Sequence, residues 1–131
     1  MVPDVTGTQK KDPRHSLGRR GEELAATELI RRGYQLCRRN WRCPAGEVDI
    51  VARHDGWLVF VEVRTRRGLD MGTPEASLTP AKQARMIRVA QSYLDAFDLF
   101  DLDWRIDVVA VEMTRGGRLE RIDVYENAIT G

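Results

Sequence analysis

Cysteine is nearly missing from this chain. Two among 131 residues make no disulfide framework, and Cys37 and Cys43, with no second pair nearby, lack the spacing of a zinc site. Histidine is as scarce. Neither His15 nor His54 has a nucleophile beside it, so a Ser or Cys hydrolase triad has no support. No apolar run approaches the roughly 18–20 residues that a membrane span needs. Residues 1–11 are polar and hold no apolar stretch of the secretory kind. The expectation is therefore a cytoplasmic protein with no membrane partner. Phosphate-cradling and dinucleotide-binding glycine loops are absent too, since Arg115-Gly116-Gly117-Arg118 reads as a hairpin turn. There is no internal repeat and no low-complexity tract.

What remains has the balance of one soluble globular domain, with 42% hydrophobic and 31% charged residues. The net charge of +1 hides an uneven layout. Residues 1–45 carry ten Lys or Arg against five Asp or Glu, whereas residues 71–131 carry seven against ten. A basic first third suggests a phosphate-bearing partner, with a merely solvated charged surface as the alternative.

Residues 1–15 show no apolar period and read as a disordered basic arm, leaving 16–131 as the folded domain. From Leu17 the spacing of Leu24, Ala25, Ala26, Leu29 and Ile30 predicts a helix that Gly33 stops. Residues 34–40 read as a short strand. Val48, Ile50 and Ala52 then alternate with Glu47, Asp49 and Val51, the period of a second strand. Asp55-Gly56 is a strong hairpin turn signal leading into a third, apolar strand over 58–63. Residues 66–77 read as a mobile loop, compatible with a two-fold homodimer. Thr79-Pro80 predicts a capped helix start. Two more strands, 104–112 and 119–125, follow. The order αβββαββ predicts an α/β domain on a mixed central sheet flanked by helices.

If Asp55-Gly56 closes a two-residue loop, His54 pairs with Trp57, Asp49 falls opposite Glu62, and Glu47 falls opposite Arg64; these last four share one face. Like charges so opposed repel by tenths of a kcal/mol to ~1 kcal/mol. The pair makes sense around a divalent cation, because Mg²⁺ takes one or two carboxylates plus water and phosphate oxygens. The alternative is a solvent-facing pair, each acid matched by an arginine. Val48, Ile50, Ala52, Val59, Val61 and Val63, on the other face, are expected to be the buried side. Glu22 shares the apolar stripe of the first helix, where a carboxylate is costly without a partner; alternatively it is an N-terminal acid complementing the helix dipole. Lys82, in the first turn of the second helix, opposes that helix's dipole, and with Arg85 and Arg88 it forms a basic edge or a plain solvated face. Arg38, Arg39 and Arg42 around Trp41 have the composition of a backbone-tracking groove with a stacking platform, although Trp41 suits packing on a sheet edge as well.

Gly18-x-x-x-Glu22, Gly46-Glu47-Val48-Asp49-Ile50-Val51-Ala52 and Phe60-Val61-Glu62-Val63-Arg64-Thr65-Arg66 together resemble the restriction-endonuclease-like PD-(D/E)XK superfamily. The match is closest to the YraN family, which is similar to archaeal Holliday-junction resolvases. Asn40-Trp41-Arg42, Lys82, Arg105-Ile106-Asp107 and Asn127-Ala128 also resemble that family. The resemblance implies a nuclease site in which Glu22, Asp49 and Glu62 ligate Mg²⁺ or Mn²⁺, with the Val63 carbonyl as a further ligand. It also implies a nucleic-acid partner, DNA rather than RNA, branched or single-stranded. Arg64 departs from the superfamily, whose third motif usually ends in Lys. An arginine clamps phosphate but does not release its proton. Catalytic Glu22, Asp49, Glu62 and Arg64, with Lys82, Arg85, Arg38, Arg39, Trp41 and Arg42 on nucleic acid, therefore describe either a nuclease or a binding module whose hydrolysis is weakened. A partner-binding protein on a relic fold is a third reading, which leaves the opposed carboxylates unexplained.

Overall fold

A computed structural model describes residues 13–68 and 78–129. The elements run α1 (Pro13–Arg31), β1 (Gln35–Cys43), β2 (Gly46–His54), β3 (Trp57–Arg67), α2 (Pro80–Ala96), β4 (Trp104–Met113) and β5 (Leu119–Ile129). The protein is an α/β domain on one mixed sheet in the order β1-β2-β3-β4-β5. All neighbours are antiparallel except β3 and β4, which run parallel with α2 in the connection between them.

Local chemistry accounts for most boundaries. Asp55 and Gly56 both have positive φ, at 51° and 84°, the pattern of a type I′ turn, whose twist suits a two-residue hairpin. Thr79 caps α2 by accepting the Lys82 amide at 3.2 Å, and Pro80 follows it in the first turn, where its missing N–H costs nothing. Gly33 at φ +94° ends the connection out of α1. Several boundaries differ from expectation, among them the end of β1, which runs three residues past Asn40 to Cys43. Pro13 opens α1 four residues before Leu17, so residues 13–15 of the expected arm are helical, while residues 1–12 lie outside the described residues. Arg66 and Arg67 of the expected loop complete β3, and Gly68 donates its amide to the Met113 carbonyl at 2.9 Å; residues 69–77 lie outside the described residues. The last strand continues to Ile129.

Both faces of the sheet are buried. Ala25, Ala26 and Leu29 of α1 pack on Ile50, Val59 and Val61, whereas Val89, Ala90, Tyr93 and Leu94 of α2 pack on Val51, Leu58, Phe60 and Ile106. The expectation of a single buried face therefore fails, because α2 covers the other one. Val48 also changes sides. It joins Val51 in the α2 core, so β2 breaks strict alternation between these two residues, where Asp49 lies.

α1 lies against β3 at Gly21, where a Cβ would fall 2.0 Å from the Thr65 hydroxyl. Only glycine allows that approach, and it fixes the height of the next residue, Glu22, over the sheet.

Candidate functional site

The hairpin keeps the expected pairing from His54–Trp57 to Ile50–Val61 and then stops. One step further, the Asp49 carboxylate accepts the Val63 amide at 2.8 Å. A side chain has taken a backbone hydrogen bond here. Asp49 and Glu62 are consequently not a ladder pair, yet both line one cavity of about 340 Å³. Its walls include Glu47 and Arg64 from the same strands and Lys82, Arg85 and Met86 from the first two turns of α2. Glu47 is not opposed by Arg64 as expected. It ion-pairs with Arg42 of β1 at 3.4 Å.

Burial pushes the Asp49 carboxyl up to about 8; the neighbouring Glu62 charge adds to this, the Val63 amide opposes it, and Glu22 and Glu47 contribute smaller increments. Glu62 is raised as well, chiefly by burial. Its bond from the Arg64 guanidinium, 2.9 Å long, pulls the other way. Two acids that each disfavour their charged form hold a proton between them above the ordinary carboxylate range. A divalent cation would relieve the same repulsion, and carboxylate oxygens are the donors that Mg²⁺ and Mn²⁺ prefer. In donor chemistry the pair fits such an ion. Among the described residues no three of His, Cys, Asp and Glu converge into a closed ligand set.

Glu22, the tenth residue of α1, is far from the helix start, so complementing the dipole is not its role. Its Oε1 accepts from Asn40 Nδ2 at 3.1 Å. Lys82 and Arg85 reach the cavity wall. The β1 cations take other partners. Arg38 donates to the Tyr93 hydroxyl at 3.2 Å and stands 4.4 Å over the Phe97 ring, and Arg39 pairs with Glu23 at 3.1 Å. Trp41 packs edge-on against Tyr93, with centroids 5.1 Å apart.

Asn40 and Glu47 were not among the expected site residues. Glu47 was visible as one more acid on the Asp49 face, but the role of Asn40 depends on a backbone turn that composition does not announce. A second polar cluster lies at the hairpin end of the sheet. Asp107, with none of its surface exposed, accepts from Tyr34 Oη (2.7 Å), Arg105 Nε (2.9 Å) and the Asn127 amide (2.8 Å). Arg105 also reaches His54 Nδ1 at 2.8 Å, and a guanidinium only donates, which leaves the His54 proton on Nε2. The Tyr34 and His54 rings stack with centroids 3.9 Å apart. Burial, then the bond to Asp107, raises the Tyr34 hydroxyl above its ordinary range. Asp107, Tyr34, Arg105 and His54 partner one another, so the knot fastens β4 to the residues around it.

Known proteins match most of the chain. It is 54% identical over 112 residues to a UPF0102 protein of Roseiflexus castenholzii, covering 85% of this chain and 89% of that one. A UPF0102 protein of Syntrophotalea carbinolica is 50% identical over 107 residues (82% and 86% covered), and one of Chloroflexus aurantiacus 48% over 112 (85% and 90%). The profile described as "Uncharacterised protein family UPF0102" matches residues 21–111, a span holding Glu22, Asp49, Glu62, Arg64 and Lys82. The chain belongs to that family, which is the YraN family of the sequence resemblance.

Proposed function

We propose that this protein is a metal-dependent nuclease that hydrolyses phosphodiester bonds in nucleic acid, DNA in particular, at the cavity between β2, β3 and the start of α2. One observation carries the reading: two half-buried carboxylates are crowded together beneath a cationic helix turn. Stability alone gives no reason for that crowding. Asp49 and Glu62 would hold Mg²⁺ or Mn²⁺, with Glu22 as the third carboxylate. Such an ion supplies Lewis acidity toward a phosphoryl oxygen and lowers the pKa of water.

The residues of the chain divide the remaining work. The Val63 amide fixes one Asp49 oxygen, leaving the other for the ligand. Arg64 orients Glu62 through its 2.9 Å bond and adds positive charge near the phosphate. Lys82 and Arg85 present cations from the opposite wall, suited to the phosphates flanking the reacting one. The free thiols of Cys37 and Cys43 suit a reducing cytoplasm.

The second reading, a binding module with hydrolysis weakened, rests on Arg64. Its guanidinium is engaged with Glu62 and does not take part in proton transfer. One experiment separates the two. Single-stranded, flapped, junction and duplex DNA are incubated with the protein and Mg²⁺ or Mn²⁺, beside Asp49→Asn. Metal-dependent cleavage that Asp49→Asn abolishes supports the nuclease. Salt-sensitive binding without cleavage supports the module. Neither binding nor cleavage refutes both.

A further inference from the structure

Asn40 stands in the middle of β1 with φ +54°, in the left-handed region that a side-chain-bearing residue enters at a cost. The pairs on either side of it are regular, Arg39 with Ile50 and Trp41 with Val48, so Asn40 lies level with Asp49 on the neighbouring strand. No chain reversal occurs there to require the turn, since β1 runs on to Cys43. From this conformation its amide Nδ2 donates to Glu22 Oε1 on α1 at 3.1 Å. Asparagine is one of the few residues that tolerate such a backbone while offering a short, rigid donor.

We infer that Asn40 is a positioning residue, whose left-handed turn exists to hold the Glu22 carboxylate beside the Asp49–Glu62 pair. Two facts place Glu22 within reach of that pair. Its partner Asn40 lies level with Asp49 on the neighbouring strand, and the glycine before it brings α1 down onto Thr65, three residues beyond Glu62. Glu22 is half-buried rather than locked in the core, and a carboxylate repelled by two others swings away unless tied. The amide of Asn40 is that tie. It engages one Glu22 oxygen and leaves the other available to a cation or to water around it. The inference rests on the metal reading proposed above.

The test uses the full chain, with Mn²⁺ alone as the probe, read by calorimetric titration and by the rise in melting temperature. The variants are Asn40→Gly, which keeps the backbone conformation and removes the amide, Glu22→Gln, and the two combined. Asn40→Gly should weaken Mn²⁺ binding about tenfold or more, as Glu22→Gln does, and the double variant should be no weaker than either one. Metal-free melting of Asn40→Gly should stay near that of the wild type, which a purely structural role would not allow. Equal Mn²⁺ affinity in Asn40→Gly and wild type, or losses that multiply in the double variant, overturn the inference and leave the metal reading standing. A wild type that does not bind Mn²⁺ overturns the metal reading and the inference with it. Should Asn40→Gly not fold, Asn40→Ser, which shortens the side chain out of reach of Glu22 without adding a charge, is held to the same outcomes.

Discussion

Asp49→Asn should make the metal-free protein more stable, and only toward neutral and alkaline pH. The folded state raises the Asp49 carboxyl from 3.8 to about 8. A group raised in this way gives its full stability below its unfolded value and loses it as pH climbs toward the folded one. Each pH unit in that window costs about 1.4 kcal/mol, a ceiling of roughly 4 kcal/mol at pH 7. The cavity is open to water and Glu62 shares the proton, so the realised cost is on the order of 2 kcal/mol. Asparagine keeps the acceptor for the Val63 amide and offers Glu62 a donor, removing the charge without removing the packing. In a domain of this size about 2 kcal/mol corresponds to a melting-temperature gain of roughly 6–10 °C. The assay is thermal unfolding from pH 4 to 8, with and without Mn²⁺. Wild type and variant should converge near pH 4 and separate as pH rises. Saturating Mn²⁺ should close the gap by stabilising the wild type alone, and more at pH 8 than at pH 5, since protons compete for the same oxygens. Two proteins melting together across the whole range would refute both the crowding and its cause.

Gly21→Ala should destabilise by about 1–3 kcal/mol in chemical denaturation, because its Cβ meets Thr65 at 2.0 Å and α1 must lift; the same variant should weaken Mn²⁺ binding as Glu22 rises with the helix. Asp107→Ala strands a buried Arg105 and should cost about 3–5 kcal/mol, measured the same way. Lys82→Ala should weaken DNA binding alike across sequences and flatten its salt dependence by about one ion, while leaving the Mn²⁺ shift in place.

How much of this was legible depended on how local its cause was. The Asp55-Gly56 turn and the Thr79-Pro80 helix start were readable because each is decided by the preferences of two adjacent residues. That Asp49, Glu62 and Arg64 share one side followed from strand period, and the structure has them on one cavity. The break of alternation between Val48 and Val51 was hidden, since it arises when a carboxylate captures an amide fourteen residues away. The arginines of β1 looked free for phosphate because their partners, Glu23 and Glu47, belong to other elements. Arg105 and Asp107 have the spacing of a solvent face in a strand; distant Tyr34 and Asn127 are what allow them inside.

The knot around Asp107 also orders events during synthesis. Its donors come from residue 34 at one extreme and residue 127 at the other, so this buried acid lacks its last donor until almost the whole domain has left the ribosome. Nascent chains shorter than that should stay loose and protease-sensitive, then lock in one late step. Contacts spanning more than seventy residues make that step slow compared with closing the hairpin.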